Sequence, residues 1–222
     1  MIDLLRQCRS IIFDFDGTII DSNEIKLKCF IDLFSDQEFL KNDLIHFISS
    51  LGDVDRFTVI RVCGERFFQG KYSEYDIQTK IESFNEECFR RILIANKISC
   101  VVEFIKTASS MNYDLFISSA TPENELVKII KALDLSQYFQ KVLGGPNSKV
   151  HHINTILEHR GLSAAEVVYI GDSDIDQTSA TITGCHFIGI INKVSRFSIK
   201  PKISFCGFDN IINDLTRFEG KQ

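Results

Sequence analysis

The 222-residue chain has no tryptophan, no CxxC pair and no apolar run long enough to span a membrane. It also lacks a charged-then-apolar leader at its start, so a cytoplasmic protein with no membrane partner is expected. Its cysteines (Cys8, Cys29, Cys63, Cys88, Cys100, Cys185, Cys206) number seven and are widely spaced. An odd, scattered set argues against a disulfide framework and against zinc, and fits buried thiols in a reducing compartment. There is no concentrated positive charge either. The formal net charge is −5 and the basic residues are dispersed, so nucleic acid is not an expected partner. A small anionic substrate drawn to one local positive site remains compatible with that balance. The missing tryptophan is offset by 19 phenylalanines, which point to a core filled by Phe. A hydrophobic fraction of 44% beside 25% charged residues is ordinary for a globular chain of one large domain, or one domain with an insertion.

Proline is absent from Glu24 to Lys97, strand signals there are weak, and apolar residues recur at helical spacing, as in Ile81, Phe84, Cys88 and Ile92. This region reads as an insertion of three to five helices, with loops near residues 52–53 and 70–71. From about Ile98 helices and strands alternate. Helices are expected at 100–110, 122–133, 149–159 and 209–218, and strands at 113–118, 141–143, 167–170, 186–190 and 203–205. Alternation of this kind implies an α/β fold with a doubly wound parallel sheet. The expected division is a core of residues 1–22 and 98–222 carrying an all-helical domain of residues 23–97. There are no internal repeats.

The chemistry concentrates at strand ends. Ile11-Ile12-Phe13-Asp14-Phe15-Asp16-Gly17-Thr18 is an apolar run that stops in two carboxylates, a glycine and a threonine. Both acids then project from the carboxyl end of a strand, where open α/β sheets place ligands. Carboxylates this close repel one another and are costly to desolvate, so they call for a cation or a proton. Mg2+, which prefers hard oxygen ligands and a few carboxylates, is the natural candidate. A plain Asp-Gly turn is the alternative.

Three more segments have the same character. Leu115-Phe116-Ile117-Ser118-Ser119-Ala120-Thr121-Pro122 puts hydroxyls just before a helix start, either as an N-cap or as a holder of phosphate oxygens. Lys149 opens a helix after Gly144-Gly145-Pro146-Asn147-Ser148, where a cation opposes the helix dipole unless an anion is bound in front of it; a solvated surface lysine is the alternative. Val167-Val168-Tyr169-Ile170 runs into Gly171-Asp172 and then Asp174 and Asp176, an acidic cluster that either caps a loop or completes a metal site. It lacks the spacing and terminal Glu of a calcium loop.

In this order the four segments resemble the motifs of the haloacid dehalogenase superfamily: DxDGT, a strand ending in Ser or Thr, a Lys at a helix start, and GDxxxD. The resemblance runs from Ile11 to about Ile190 and is greatest to the phosphoglycolate phosphatase and β-phosphoglucomutase branch, with the helical insertion at the place of a C1-type cap. It implies an Mg2+-dependent phosphatase acting on a small phosphorylated metabolite, as a monomer or homodimer. Asp14 would be the nucleophile that forms an aspartyl-phosphate, and Asp16 the acid and then the base. Asp14, the Asp16 carbonyl and Asp172 would hold Mg2+, with Asp176 orienting the metal waters or Lys149. Ser118 and Lys149 would hold the transferring oxygens, with Thr18 and Ser119 in support. Arg56, in a loop leading into a helix of the cap, would read the substrate, a solvated or ion-paired side chain being the alternative. The alternatives are a phosphomutase on the same scaffold and a non-catalytic binding protein. The first usually carries a cap histidine near the first motif, and no His occurs between Ser22 and Ile45. The second is disfavoured because every principal catalytic position is filled.

Overall fold

The computed structural model describes residues 2–34, 41–51, 54, 56–68, 72–192, 195 and 197–216. The loops expected at 52–53 and 70–71, and positions 217–218 of the last expected helix, lie outside them. The chain divides into two compact units: Met1–Asp21 with Ala95–Gln222, and Ser22–Ile94.

The first unit is built on six strands: β1 (Ser10–Phe13), β2 (Asp114–Pro122), β3 (Lys141–Gly145), β4 (Val167–Gly171), β5 (His186–Ile190) and β6 (Ser204–Phe205). All pair in parallel, in the order β3-β2-β1-β4-β5-β6. β1 and β4 are buried at every residue. This is why they read as unbroken apolar runs rather than as alternation. The register aligns Phe13 with Ile117 on one side and Ile170 on the other. β1 and β4 therefore end side by side, and the polar residues that follow them arrive at one edge beside the later residues of β2.

Helices in chain order are α1 (Ile2–Gln7), α2 (Asn23–Leu33), α3 (Lys41–Ser50), α4 (Arg56–Phe68), α5 (Glu74–Leu93), α6 (Val101–Ser110), α7 (Glu123–Ala132), α8 (Lys149–Arg160), α9 (Asp174–Thr183) and α10 (Asp209–Thr216). Ile12, Phe116 and Tyr169 of the sheet pack with Ile153 and Ile156 of α8 and Ala180 of α9. Phe13, Phe104 and Phe208 form an aromatic cluster, with Phe104–Phe208 ring centroids 5.0 Å apart. Burying one such ring contributes about 1.5–3 kcal/mol.

The second unit is α2–α5. A reciprocal cap between Ser73 and Asp76 starts α5, and Ile77, Ile81, Phe84, Cys88 and Ile92 form its buried stripe. Phe84 stacks on Phe30 at 4.2 Å. Among the described residues no helix is long and apolar enough to cross a membrane.

Two helices were not anticipated, α1 and α9. The Thr- and Ser-rich stretch of α9 has low intrinsic helix propensity. It is secured instead by a capping box, in which Ser173 accepts from the Asp176 amide and the Asp176 side chain accepts from the Ser173 amide. β2 also runs past Ser118 to Pro122, with a register irregularity between those two residues.

Candidate active site

Asp14 is the first residue after β1, its amide donating to Ile170 O at 2.8 Å. The chain then turns tightly: the Ile19 and Ile20 amides return to Phe15 O at 2.9 and 3.2 Å, and Gly17 takes φ 76°. That left-handed conformation explains the glycine after Asp16.

Lys149, first residue of α8 and only 9% exposed, lies beside Asp14. Its Nζ donates to Asp14 Oδ1 at 2.9 Å and to Asp176 Oδ1 at 2.6 Å. Asp176 is fully buried, its second oxygen accepting from the Ser173 hydroxyl at 2.5 Å. A Cβ on Gly171 would come 2.4 Å from Asp176 Cγ, so only glycine lets α9 deliver this carboxylate to the strand end. Asp172 is 5% exposed, and its Oδ2 accepts from Asn192 Nδ2 at 2.9 Å.

Asp14, Asp172 and Asp176 bring carboxylate oxygens within 4.8 Å of one another. One lysine among three buried carboxylates leaves an excess of negative charge, which burial makes costly. Burial pushes the Asp14 carboxyl well above the ordinary carboxylate range, with Asp176, Asp172 and Asp16 adding to the effect and Lys149 opposing it. Burial works against the Lys149 ammonium, but Asp14 and Asp176 carry its pKa well above the ordinary lysine value. A hard divalent cation fits this all-oxygen donor set.

Asp16 faces a different set. Its Oδ2 accepts from Thr121 Oγ1 at 2.9 Å and from Ser119 Oγ at 3.5 Å. Asp16 side-chain oxygens are not among the clustered carboxylates.

Of the two serines, Ser119 is the one at Asp16. The Ser118 hydroxyl is paired with His152 Nδ1 at 2.9 Å, and its carbonyl accepts from Tyr169 Oη at 3.0 Å. His152 is buried, and that burial lowers its pKa. Thr18 is fully buried, and its Oγ1 has no hydrogen-bond partner among the described residues. Arg56 is engaged within the helical unit, where its guanidinium donates to Asn85 Oδ1 and lies 5.4 Å from the Phe84 ring centroid.

Two residues with direct contacts to this site escaped sequence reasoning. Asn192, shortly after β5, donates to Gly17 O at 3.0 Å as well as to Asp172, tying the first-motif turn to the fourth motif. Nothing in its spacing marks it. Thr121 stood in the hydroxyl-rich segment without being singled out.

A parallel sheet with this acid–lysine–acid cluster at its carboxyl edge defines a class, and comparison with known proteins identifies it. The haloacid dehalogenase-like hydrolase family matches residues 11–190, and the chain belongs to that family. Within it the chain resembles the phosphoglycolate phosphatase and β-phosphoglucomutase branch. A phosphoglycolate phosphatase of Escherichia coli is 31% identical over 74 residues, which is 31% of this chain and 29% of that protein. The match therefore spans under a third of the curated relative. A structure described as a predicted phosphoglycolate phosphatase from Haemophilus somnus superposes with a TM-score of 0.74 at 19% identity, covering 93% of this chain and 97% of that one. CbbY of Rhodobacter sphaeroides, in a mutant form bound to xylulose-1,5-bisphosphate, gives 0.72 at 14% identity, covering 94% and 99%.

Proposed function

We propose that the protein is an Mg2+-dependent phosphatase of a small phosphorylated metabolite, a sugar phosphate or phosphoglycolate-like ester, working through an aspartyl-phosphate. The carrying observation is the buried Lys149 bridging Asp14 and Asp176 beside Asp172, where the adjacent strands β1 and β4 end.

In this reading Asp14 attacks phosphorus, and the bond from phosphorus to the ester oxygen breaks. Asp16 supplies the proton that lets the ester oxygen leave as an alcohol. It then takes a proton from the water that splits the Asp14 phosphoryl bond. Lys149 holds Asp14 in place and brings positive charge to the transferring oxygens. Ser119 takes the oxygen-holding role expected of Ser118, because its hydroxyl lies at Asp16 whereas that of Ser118 is committed to His152. Mg2+, held by Asp14, Asp172 and the Asp16 carbonyl with Asp176 alongside, would shield the phosphoryl charge from the anionic nucleophile. Residues 23–97 are the cap that selects the substrate, since the core motifs account for the phosphoryl group alone.

Phosphate release from a panel of phosphorylated metabolites, with Mg2+ and with excess chelator, tests this reading. Hydrolysis of at least one ester that stops on chelation is expected. No hydrolysis of any ester, or full activity in chelator, would contradict it.

A further inference from the structure

We infer that Thr121 is a positioning residue for proton transfer at Asp16, an inference that rests on the phosphatase reading above. Thr121 is 3% exposed at the end of β2, and its hydroxyl lies 2.9 Å from Asp16 Oδ2. Its own amide donates to Ser119 Oγ at 3.1 Å, and that hydroxyl lies 3.5 Å from the same carboxylate oxygen. Both side chains thus reach the same oxygen of Asp16. Pro122 then closes the strand and caps α7, fixing the backbone beneath them.

The consequence for Asp16 follows from hydrogen-bond chemistry. A hydroxyl donating to Oδ2 fixes the orientation of the carboxyl group and opposes the rotation that would exchange its two oxygens. Thr121 keeps its own proton throughout. In the first half-reaction the Asp14 oxygen–phosphorus bond forms, the ester oxygen–phosphorus bond breaks, and the Asp16 proton passes to the leaving oxygen. In the second half-reaction a water oxygen bonds to phosphorus, the Asp14 bond breaks, and the water's proton returns to Asp16. Protons and bonds balance over the cycle, and the orientation of Asp16 is restored for the next turnover.

A leaving group that needs no proton provides the discriminating readout. Alkoxides are poor leaving groups and depend on Asp16, whereas nitrophenolate departs as a stable anion. The value of kcat/KM reports the steps up to leaving-group departure, so the later hydrolysis shared by all substrates does not blur the comparison. The experiment measures kcat/KM of the wild type, Thr121→Val, Thr121→Ala and Thr121→Ser with p-nitrophenyl phosphate and with 2-phosphoglycolate, glycerol 1-phosphate and ribose 5-phosphate. For Val and Ala, a fall of about tenfold or more is expected on the alkyl phosphates hydrolysed by the wild type, with p-nitrophenyl phosphate changed by less than about twofold. Thr121→Ser, which keeps the donor, should restore the alkyl rates. A uniform fall on both substrate types, as a merely structural role would give, overturns the inference, and so does an unchanged ratio. Absence of hydrolysis of every substrate by the wild type would overturn the phosphatase reading and this assignment with it.

Discussion

Lys149 Nζ sits 2.9 Å from Asp14 Oδ1 and 2.6 Å from Asp176 Oδ1, so one buried ammonium joins the ends of β1 and α8 and the first turn of α9. A lysine at a helix start is electrostatically adverse by itself. Two carboxylates at hydrogen-bond distance reverse that penalty, and the geometry ties a catalytic assignment to a structural one.

Lys149→Met should therefore act on both. Removing one partner of a buried ionic network typically costs about 3–5 kcal/mol. Thermal unfolding should show a clear drop in midpoint, smaller in millimolar Mg2+ because the cation offsets carboxylate repulsion. Turnover should fall on the order of 10²-fold or more, as for lost transition-state donors. A variant of unchanged midpoint and turnover would contradict the bridge.

Asn192→Ala should weaken Mg2+ binding measured by titration calorimetry by roughly tenfold or more, as loss of groups that orient metal ligands does. The reason is that Asn192 fixes Asp172 Oδ2 and anchors it to Gly17 O. An unaltered Mg2+ affinity would show that Asp172 needs no such support.

Burial depresses the pKa of His152, so the folded state holds it neutral while the unfolded chain protonates it near about 6.5. Below that value the unfolded state binds more protons, and stability contributed by the neutral imidazole is lost as pH falls. Denaturant unfolding from pH 7 to pH 5 should show declining stability in the wild type and a shallower decline in His152→Asn, whose amide keeps a hydrogen-bonding group beside Ser118 without titrating. Equal slopes would remove His152 from the pH response.

The polar residues at strand ends made Asp14, Asp16, Lys149, Asp172 and Asp176 legible, because an apolar run that stops in acids has few structural uses. The parallel sheet was legible for a related reason, since strands buried on both faces leave unmistakable runs such as residues 11–13 and 167–170. Ser118 against Ser119 was not decidable from sequence. Which hydroxyl faces Asp16 depends on how β2 registers against β1, a pairing between segments about 100 residues apart. Asn192 was hidden because Gly17 and Asp172, to which its side-chain amide donates, are brought to it by the fold and not by spacing along the chain. α9 was hidden because capping and packing, not propensity, hold it.

Arg56 was expected to read substrate, yet its guanidinium is engaged with Asn85 and Phe84 inside the helical unit. Arg56→Ala should lower stability by about 1–2 kcal/mol through the lost hydrogen bond and ring contact, read from the denaturant midpoint. KM for the best substrate should change little. A several-fold rise in KM at unchanged stability would return Arg56 to a substrate-reading role.

Trapping the covalent intermediate tests the central assignment most directly. The protein is mixed with p-nitrophenyl phosphate and Mg2+, quenched in acid within the first turnover and reduced with borohydride, which converts an aspartyl-phosphate to homoserine. Peptide mass spectrometry should find the conversion at Asp14 alone, absent without substrate and absent in Asp14→Asn. That variant should also lose roughly 10³-fold or more in turnover while remaining folded. Sustained turnover by Asp14→Asn, or a trapped residue anywhere other than position 14, would contradict the account.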